Sequence, residues 1–191
     1  PQFKKYAGEP TTLEIGDNNV FREYASMHRG STVPGYGKTK IGNRNYFMAY
    51  VHVAHDCTIG NDVTFANNAS LAGHVEIGNF VTLGGFAKIL QFSLVGDYSF
   101  IAGSSDIVKD ILPYMLVSGL HGKVKVYSLN TIGLERNGFS PEKIKAIKKA
   151  YDIIYRQRLM TKEAIAALGK LLPACPEVQP MLTILQKSKH C

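Results

Sequence analysis

Four of the six histidines, His28, His52, His55 and His74, lie in one 47-residue stretch, and His55 is followed directly by an acid, Asp56. A histidine held by a carboxylate is the arrangement of a general base with its orienting group. The same residues also have ligand chemistry. His52-x-x-His55 together with His74 offers three imidazoles, a donor set that suits zinc. A nucleophilic thiol is poorly supported: Cys57 follows Asp56, but no basic neighbour can be assigned to it, and buried filler is the better reading. What decides between base and ligand is what the chain places beside His55.

The placement follows from a repeat. Ile41, Phe47, Val53, Ile59, Phe65, Leu71, Ile77, Leu83, Ile89, Val95, Ile101 and Ile107 fall six apart. A period of six is neither a strand's two nor a helix's 3.6. It is the period of a parallel β-helix, in which each six-residue unit is a short strand plus a turn and three units close one coil. The aliphatic points inward. Ile41-Gly42, Ile59-Gly60, Ile77-Gly78 and Val95-Gly96 repeat once per 18-residue coil. Gly42, Gly60, Gly78, Gly96, Asn43, Asn61, Asn79 and Asp97 follow the inward aliphatic, and the corners are expected there, because Gly and Asn reach positive φ at low cost. Ile15-Gly16 joins the series 26 residues before Ile41, one coil plus eight residues. The excess predicts a loop ejected within residues 28–38, and such loops are commonly functional.

Residues 18 apart therefore stack in neighbouring coils, about 4.8 Å apart. His55, Gly73 and Gln91 occupy one column, and Asp56 and His74 the next. A glycine beside a histidine leaves open space and an exposed N–H. That is what acyl transfer needs: a base for a hydroxyl, and a donor facing the developing oxyanion. His52, His55, Asp56 and His74 form one polar patch, and Asp56 with Gly73 favours a metal-free base over a zinc site.

The hexads span residues 1–114, an all-β parallel β-helix; Pro113 cannot donate to a further ladder and marks its expected end. Residues 115–137 read as a connector and 138–191 as an α-helical domain. Ser140-Pro141-Glu142 is a helix start, and Ile144, Ile147, Tyr151, Ile154 and Tyr155 recur at helical spacing. A second helix is expected from Thr161 to about Leu172, and a third after the break at 173–180. Such a domain caps a solenoid end that would otherwise be an open edge. No run of about 18 apolar residues is present, which excludes a membrane-spanning helix. Three scattered cysteines without CxxC spacing fit a reduced, cytoplasmic protein. Residues 138–191 hold ten Lys/Arg against four Asp/Glu, +6 of the chain's +7. That surface predicts an acidic partner; no nucleic-acid motif accompanies it. The chain opens on Pro1-Gln2-Phe3 inside a patterned segment, so preceding coils are expected.

Several segments resemble one family. They include Tyr6-Ala7-Gly8-Glu9-Pro10-Thr11, His28-Arg29-Gly30, Val53-Ala54-His55-Asp56-Cys57-Thr58-Ile59-Gly60, Asn67-Asn68-Ala69-Ser70-Leu71-Ala72-Gly73-His74-Val75, Gln91-Phe92 and Gly138-Phe139-Ser140. The chain is similar over nearly its whole length to the acyl-(acyl carrier protein)–UDP-N-acetylglucosamine O-acyltransferases, which begin lipid A synthesis. The resemblance implies a left-handed β-helix and a homotrimer with sites between subunits. It implies His55 as general base toward the glucosamine 3-hydroxyl, Asp56 as its support and the Gly73 N–H as oxyanion donor. Lys5, His28, His52, His74, Gln91, Asn130 and Arg136 match substrate-lining positions. Gly103 matches the position that limits acyl length, and a glycine there implies a longer chain. No cofactor is implied, because phosphopantetheine arrives on the acyl carrier protein, the partner expected at the basic helices.

The chain also departs from that pattern. Phe3 stands where the family carries a sugar-contacting Asp, Leu90 replaces a His before Gln91, and Ile132 and Asn137 replace a Glu and a second Arg near the nucleotide. A lost hydrogen bond costs about 0.5–1.5 kcal/mol. The base and its partners are retained, so the expectation is intact chemistry on an acceptor that is either UDP-N-acetylglucosamine or a variant UDP-amino sugar; a non-catalytic trimer that binds sugar nucleotide or carrier protein is the competing reading.

Overall fold

The computed structural model describes residues 2–31, 37–157 and 159–188. Three largely parallel sheets form the faces of a prism, built mostly from two-residue strands contributed once per coil. One sheet runs through Thr12–Ile15, Lys38–Ile41, Thr58–Ile59, Glu76–Ile77 and Leu94–Val95. The second includes Tyr46–Phe47, Thr64–Phe65, Thr82–Leu83 and Phe100–Ile101, and the third Ser26–Met27, His52–Val53, Ser70–Leu71, Lys88–Ile89 and Asp106–Ile107. The pairing is 18 residues in register, Ile59 on Ile77 on Val95. Across the ejected loop it becomes 26, Ile15 on Ile41 and Met27 on Val53.

All twelve hexad aliphatics and aromatics are buried. A second inward column lies two residues before each of them: Val51, Cys57, Val63, Ala69, Val75, Val81 and Ala87 are likewise buried. Two inward residues per six fill the narrow prism, and the remaining positions face outward or turn the corners.

The corners differ from the sequence expectation. The positive-φ residues are the third after each aliphatic, not the first or second: Arg44, Tyr50, Asp56, Asp62, Asn68, His74, Phe80, Phe86, Phe92, Tyr98 and Ser104 all have φ between 56° and 64°. The glycines of the Ile-Gly pairs serve close approach instead. A Cβ on Gly42 would sit 2.4 Å from the Gly60 carbonyl oxygen, and one on Gly60 2.8 Å from that of Gly78. The asparagines form a ladder in which Asn43 N–H donates to Asn61 Oδ1, Asn61 N–H to Asn79 Oδ1 and Asn79 N–H to Asp97 Oδ1, at 2.7–2.9 Å.

Pro113 does not end the sheet pairing. Met115–Leu120 adds to the second sheet, with Leu116 and Val117 parallel to Phe100 and Ile101. It then turns into an antiparallel strand, Lys123–Leu129. His121 and Gly122 both have positive φ, as a two-residue hairpin turn that follows the strand twist requires. The expected connector is thus a hairpin followed by a short helix, α1 (Thr131–Arg136). The helical region holds α2 (Pro141–Tyr155), α3 (Thr161–Leu171) and α4 (Gln179–Lys187). Ser140 Oγ accepts from Lys143 N–H at the start of α2. Ile147, Leu168, Val178 and Met181 are fully buried and continue the prism core into the cap.

Candidate active site

His55, Asp56, Gly73 and His74 meet at the corner between the third and first sheets. Two hydrogen bonds of the coil, His74 N–H to the His55 carbonyl and Phe92 N–H to the Gly73 carbonyl, lock the column arithmetic into contact. His55 Nδ1 lies 2.8 Å from Asp56 Oδ2. The Asp56 side chain is wholly buried, whereas that of His55 retains 16% exposure. With Nδ1 committed to the carboxylate, Nε2 is left facing Gly73. A Cβ placed on Gly73 would lie 2.7 Å from His55 Cε1 and 2.9 Å from Nε2, so only glycine admits the imidazole there. Among the described residues, the Gly73 N–H donates to no backbone carbonyl.

Asp56 is held more firmly than the sequence indicated. Both of its oxygens accept from Ser31 N–H at 3.0 Å, and its own N–H donates to Thr39 Oγ1 at 2.8 Å. Ser31 and Thr39 are buried. Ser31 is the root of the ejected loop, whose return is fixed where Gly37 N–H donates to the Ser31 carbonyl; residues 32–36 lie outside the described residues. Ser31 therefore orients the group that orients the base. Thr39 could have been found, because it stands in the second inward column where Cys57 and Val75 stand one and two coils on. Nothing in the sequence points to Ser31.

The other histidines surround this pair. The His74 ring meets His55 edge-on at 5.1 Å and stacks on Phe92 at 4.5 Å. His28 and His52 are 5.1 Å apart, and His52 Nδ1 is 2.9 Å from Ser26 Oγ. Burial lowers the pKa of His28, His52 and His74, which keeps them neutral in neutral solution. Burial likewise pushes the Cys57 thiol up to about 12, and the thiol donates to the Ala72 carbonyl at 3.2 Å, so Cys57 is core filler as expected. Among the described residues, the potential metal ligands that converge are His55, Asp56 and His74, with donor atoms within 4.8 Å of one another. This differs from the His52–His55–His74 donor set that spacing offered as the alternative to a metal-free base. The Asp56 oxygens in that cluster already accept from Ser31 N–H and face His55 Nδ1.

Beside the corner, the outer face of the third sheet forms a cleft of about 680 Å³. Ala54, Ala72, Leu90 and Val108 give it an apolar wall, and His52, Lys88 and Asp106 a polar one. Leu90 adds an exposed apolar side chain to this wall. Phe3 sits against His55, ring centroids 5.4 Å apart. Gln91 is exposed one coil beyond Gly73, and Lys5 is exposed in the N-terminal segment.

Three expected site residues lie elsewhere in this chain. Gly103 is at the corner between the second and third sheets, where a Cβ would come 3.2 Å from the Gly85 carbonyl oxygen. Asn130 caps α1, accepting from Gly133 N–H, and donates through Nδ2 to the Tyr98 carbonyl at the corner between the first and second sheets. Arg136 is exposed in the last turn of α1, flanked by the departures Ile132 and Asn137. A single chain therefore distributes its expected substrate residues over three corners.

Comparison with known proteins finds relatives along the whole chain. Residues 110–191 match the family model described as domain 2 of UDP-N-acetylglucosamine O-acyltransferase, and residues 38–73 the bacterial transferase hexapeptide repeat. The acyl-(acyl carrier protein)–UDP-N-acetylglucosamine O-acyltransferase of Thermodesulfovibrio yellowstonii is 48% identical over all of this chain and 72% of its own length. The corresponding protein of Trichlorobacter lovleyi is 50% identical over all of this chain and 73% of its own length. Among solved structures, UDP-N-acetylglucosamine O-acyltransferase from Moraxella catarrhalis superposes with a TM-score of 0.95 at 44% identity, covering all of this chain and 73% of that one.

Proposed function

Because this chain belongs to the UDP-N-acetylglucosamine O-acyltransferase family, we propose that it moves a 3-hydroxyacyl chain from acyl carrier protein to the 3-hydroxyl of UDP-N-acetylglucosamine, the first step of lipid A synthesis. Its coils form the left-handed β-helix of that family. The observation that carries the mechanism is the direction of His55: Nδ1 faces Asp56 and Nε2 faces Gly73.

His55 Nε2 removes the proton from the sugar 3-hydroxyl as that oxygen attacks the thioester carbonyl. Buried Asp56 fixes the tautomer and stabilises the imidazolium that forms. The carbonyl oxygen gains negative charge, and the Gly73 N–H donates to it. Collapse of the tetrahedral intermediate breaks the C–S bond, and the departing phosphopantetheine thiolate takes the proton back from His55. The ester forms, the thiol leaves and no net charge is created. No metal is needed, and the engagement of Asp56 with Ser31 and His55 supports a metal-free base. The apolar cleft along Ala54, Ala72 and Leu90 receives the acyl chain. In one chain Asn130, Arg136 and Gly103 lie at other corners than His55, which supports a homotrimer, with the site shared between neighbouring copies, as the working unit. The basic helices meet the carrier protein, and the reaction is cytoplasmic.

A specific observation favours a second acceptor. Phe3 packs on His55 where a carboxylate would hydrogen-bond a sugar hydroxyl. A UDP-amino sugar bearing a 3-amino group needs the same base and the same oxyanion donor. Incubation with a hydroxyacyl carrier protein and each sugar nucleotide, with product mass as the readout, decides between them. An acylated UDP-N-acetylglucosamine supports the first reading, acylation of the 3-amino sugar alone supports the second, and no product from either refutes transfer.

A further inference from the structure

A second cavity, of about 460 Å³ and partly open to solvent, lies away from the His55 corner, where the last coil, the hairpin and the helical cap meet. Its floor is apolar and buried: Ile111, Leu112, Tyr151, Ala164 and Leu185. Its volume falls in the range of small-molecule sites. Three cations line it, Lys109 from the coil, Lys125 from the hairpin and Arg156 at the end of α2, and all three are exposed. Aromatic rings hold two of them in place. The Arg156 guanidinium stands 5.6 Å over the Tyr151 ring and Lys125 Nζ 4.7 Å over Tyr127. The acid in the lining, Asp110, is engaged elsewhere: Oδ1 accepts from Leu94 N–H at 2.9 Å and Oδ2 from the Ser188 hydroxyl at 2.5 Å.

An apolar body with a cationic mouth selects an amphiphilic anion. The body buries in the floor by the hydrophobic effect, and the head finds positive charge without entering it. The floor is aliphatic on the coil and α4 sides, which suits an extended hydrocarbon. We propose that this cavity binds a medium-chain carboxylate, tail inward between the coil and α2, head at Lys109, Lys125 and Arg156. The site is separate from the cleft beside His55. Its occupant would bridge coil, hairpin and α2, and so stiffen the junction on which the helical cap stands.

The chain contains no tryptophan, which provides a local reporter. Leu159 is exposed at the cavity mouth, so Leu159→Trp places a single indole there. Titration with decanoate is expected to shift the indole emission saturably. Lys125→Glu with Arg156→Glu on that background is expected to weaken decanoate by about tenfold or more. Decanol, which has the tail without the charge, is expected to bind far more weakly. Calorimetry of decanoate with the unmodified chain and with Arg156→Glu repeats the test without the reporter, and circular dichroism verifies that each variant is folded. An emission that never saturates, affinity unchanged by charge reversal, or decanol equal to decanoate overturns the proposal. Calorimetric binding that Arg156→Glu leaves intact overturns it equally.

Discussion

Gly73→Ala tests the site at one carbon atom. The added Cβ would lie 2.7 Å from His55 Cε1, and ordinary contact begins at 3.4 Å, so the imidazole must move by about 0.7 Å. Movement toward the corner is resisted, because Asp56 lies 2.8 Å behind Nδ1 and is itself tied to Ser31 and Thr39. The ring therefore shifts off the line along which it meets the sugar hydroxyl. A misplacement of about 1 Å costs on the order of 10²-fold in rate, or about 2.7 kcal/mol of barrier. Stability responds little, since Gly73 is not in the left-handed region and the added methyl meets only an outward-facing ring; a change within about 1 kcal/mol is expected. Steady-state transfer between acyl carrier protein and UDP-N-acetylglucosamine measures kcat, and thermal melting verifies the fold. A folded Gly73→Ala protein with wild-type kcat would refute the claim that His55 works against Gly73.

Three further outcomes are expected. Burial depresses the pKa of His28, His52 and His74. The unfolded chain therefore takes up protons below about pH 6.5 while the folded chain still refuses them. Tm should fall as pH drops through that value and toward the lower folded pKa values, and His74→Gln should flatten part of the slope; a Tm constant from pH 7.5 to 5 contradicts this. Raising salt should weaken carrier-protein binding to the Lys-rich α2 face while UDP-sugar binding changes less; equal sensitivity of both ligands removes that docking face. Light scattering should give a trimer at micromolar concentration, and a stable monomer would remove the site shared between copies.

The period of six made the prism, its inward columns and the His55–Gly73 juxtaposition legible, because stacking every 18 residues converts sequence separation into distance. The corner chemistry was not legible. Residues such as Phe80 and Tyr98 hold φ near 57° because neighbouring coils pin them: Phe80 N–H donates to the Asn61 carbonyl and Tyr98 N–H to that of Asn79. Those bonds offset the roughly 1–2 kcal/mol of a left-handed non-glycine residue. Local preference therefore pointed to Gly42 and Asn43, which answer instead to coil spacing. The hairpin left a signal in His121-Gly122 between alternating segments, hidden by the weight given to Pro113. Ser31 left none, since it acts through its backbone N–H, and any residue but proline supplies that group. Asn130 and Arg136 match the family pattern, yet in one chain they lie at a different corner from His55, which a column argument confined to a single copy does not bridge.

The central claim is that His55, held by Asp56, is the base for acyl transfer. Single-turnover transfer from hydroxyacyl carrier protein to UDP-N-acetylglucosamine, with product mass as the readout, tests it most directly when wild type and His55→Ala are compared. The wild type is expected to give acylated sugar nucleotide and His55→Ala to lose about 10²–10⁴-fold in rate, with Tm and oligomeric state unchanged. A folded His55→Ala protein that turns over at the wild-type rate would contradict it and reduce the His55–Asp56–Gly73 corner to a binding surface.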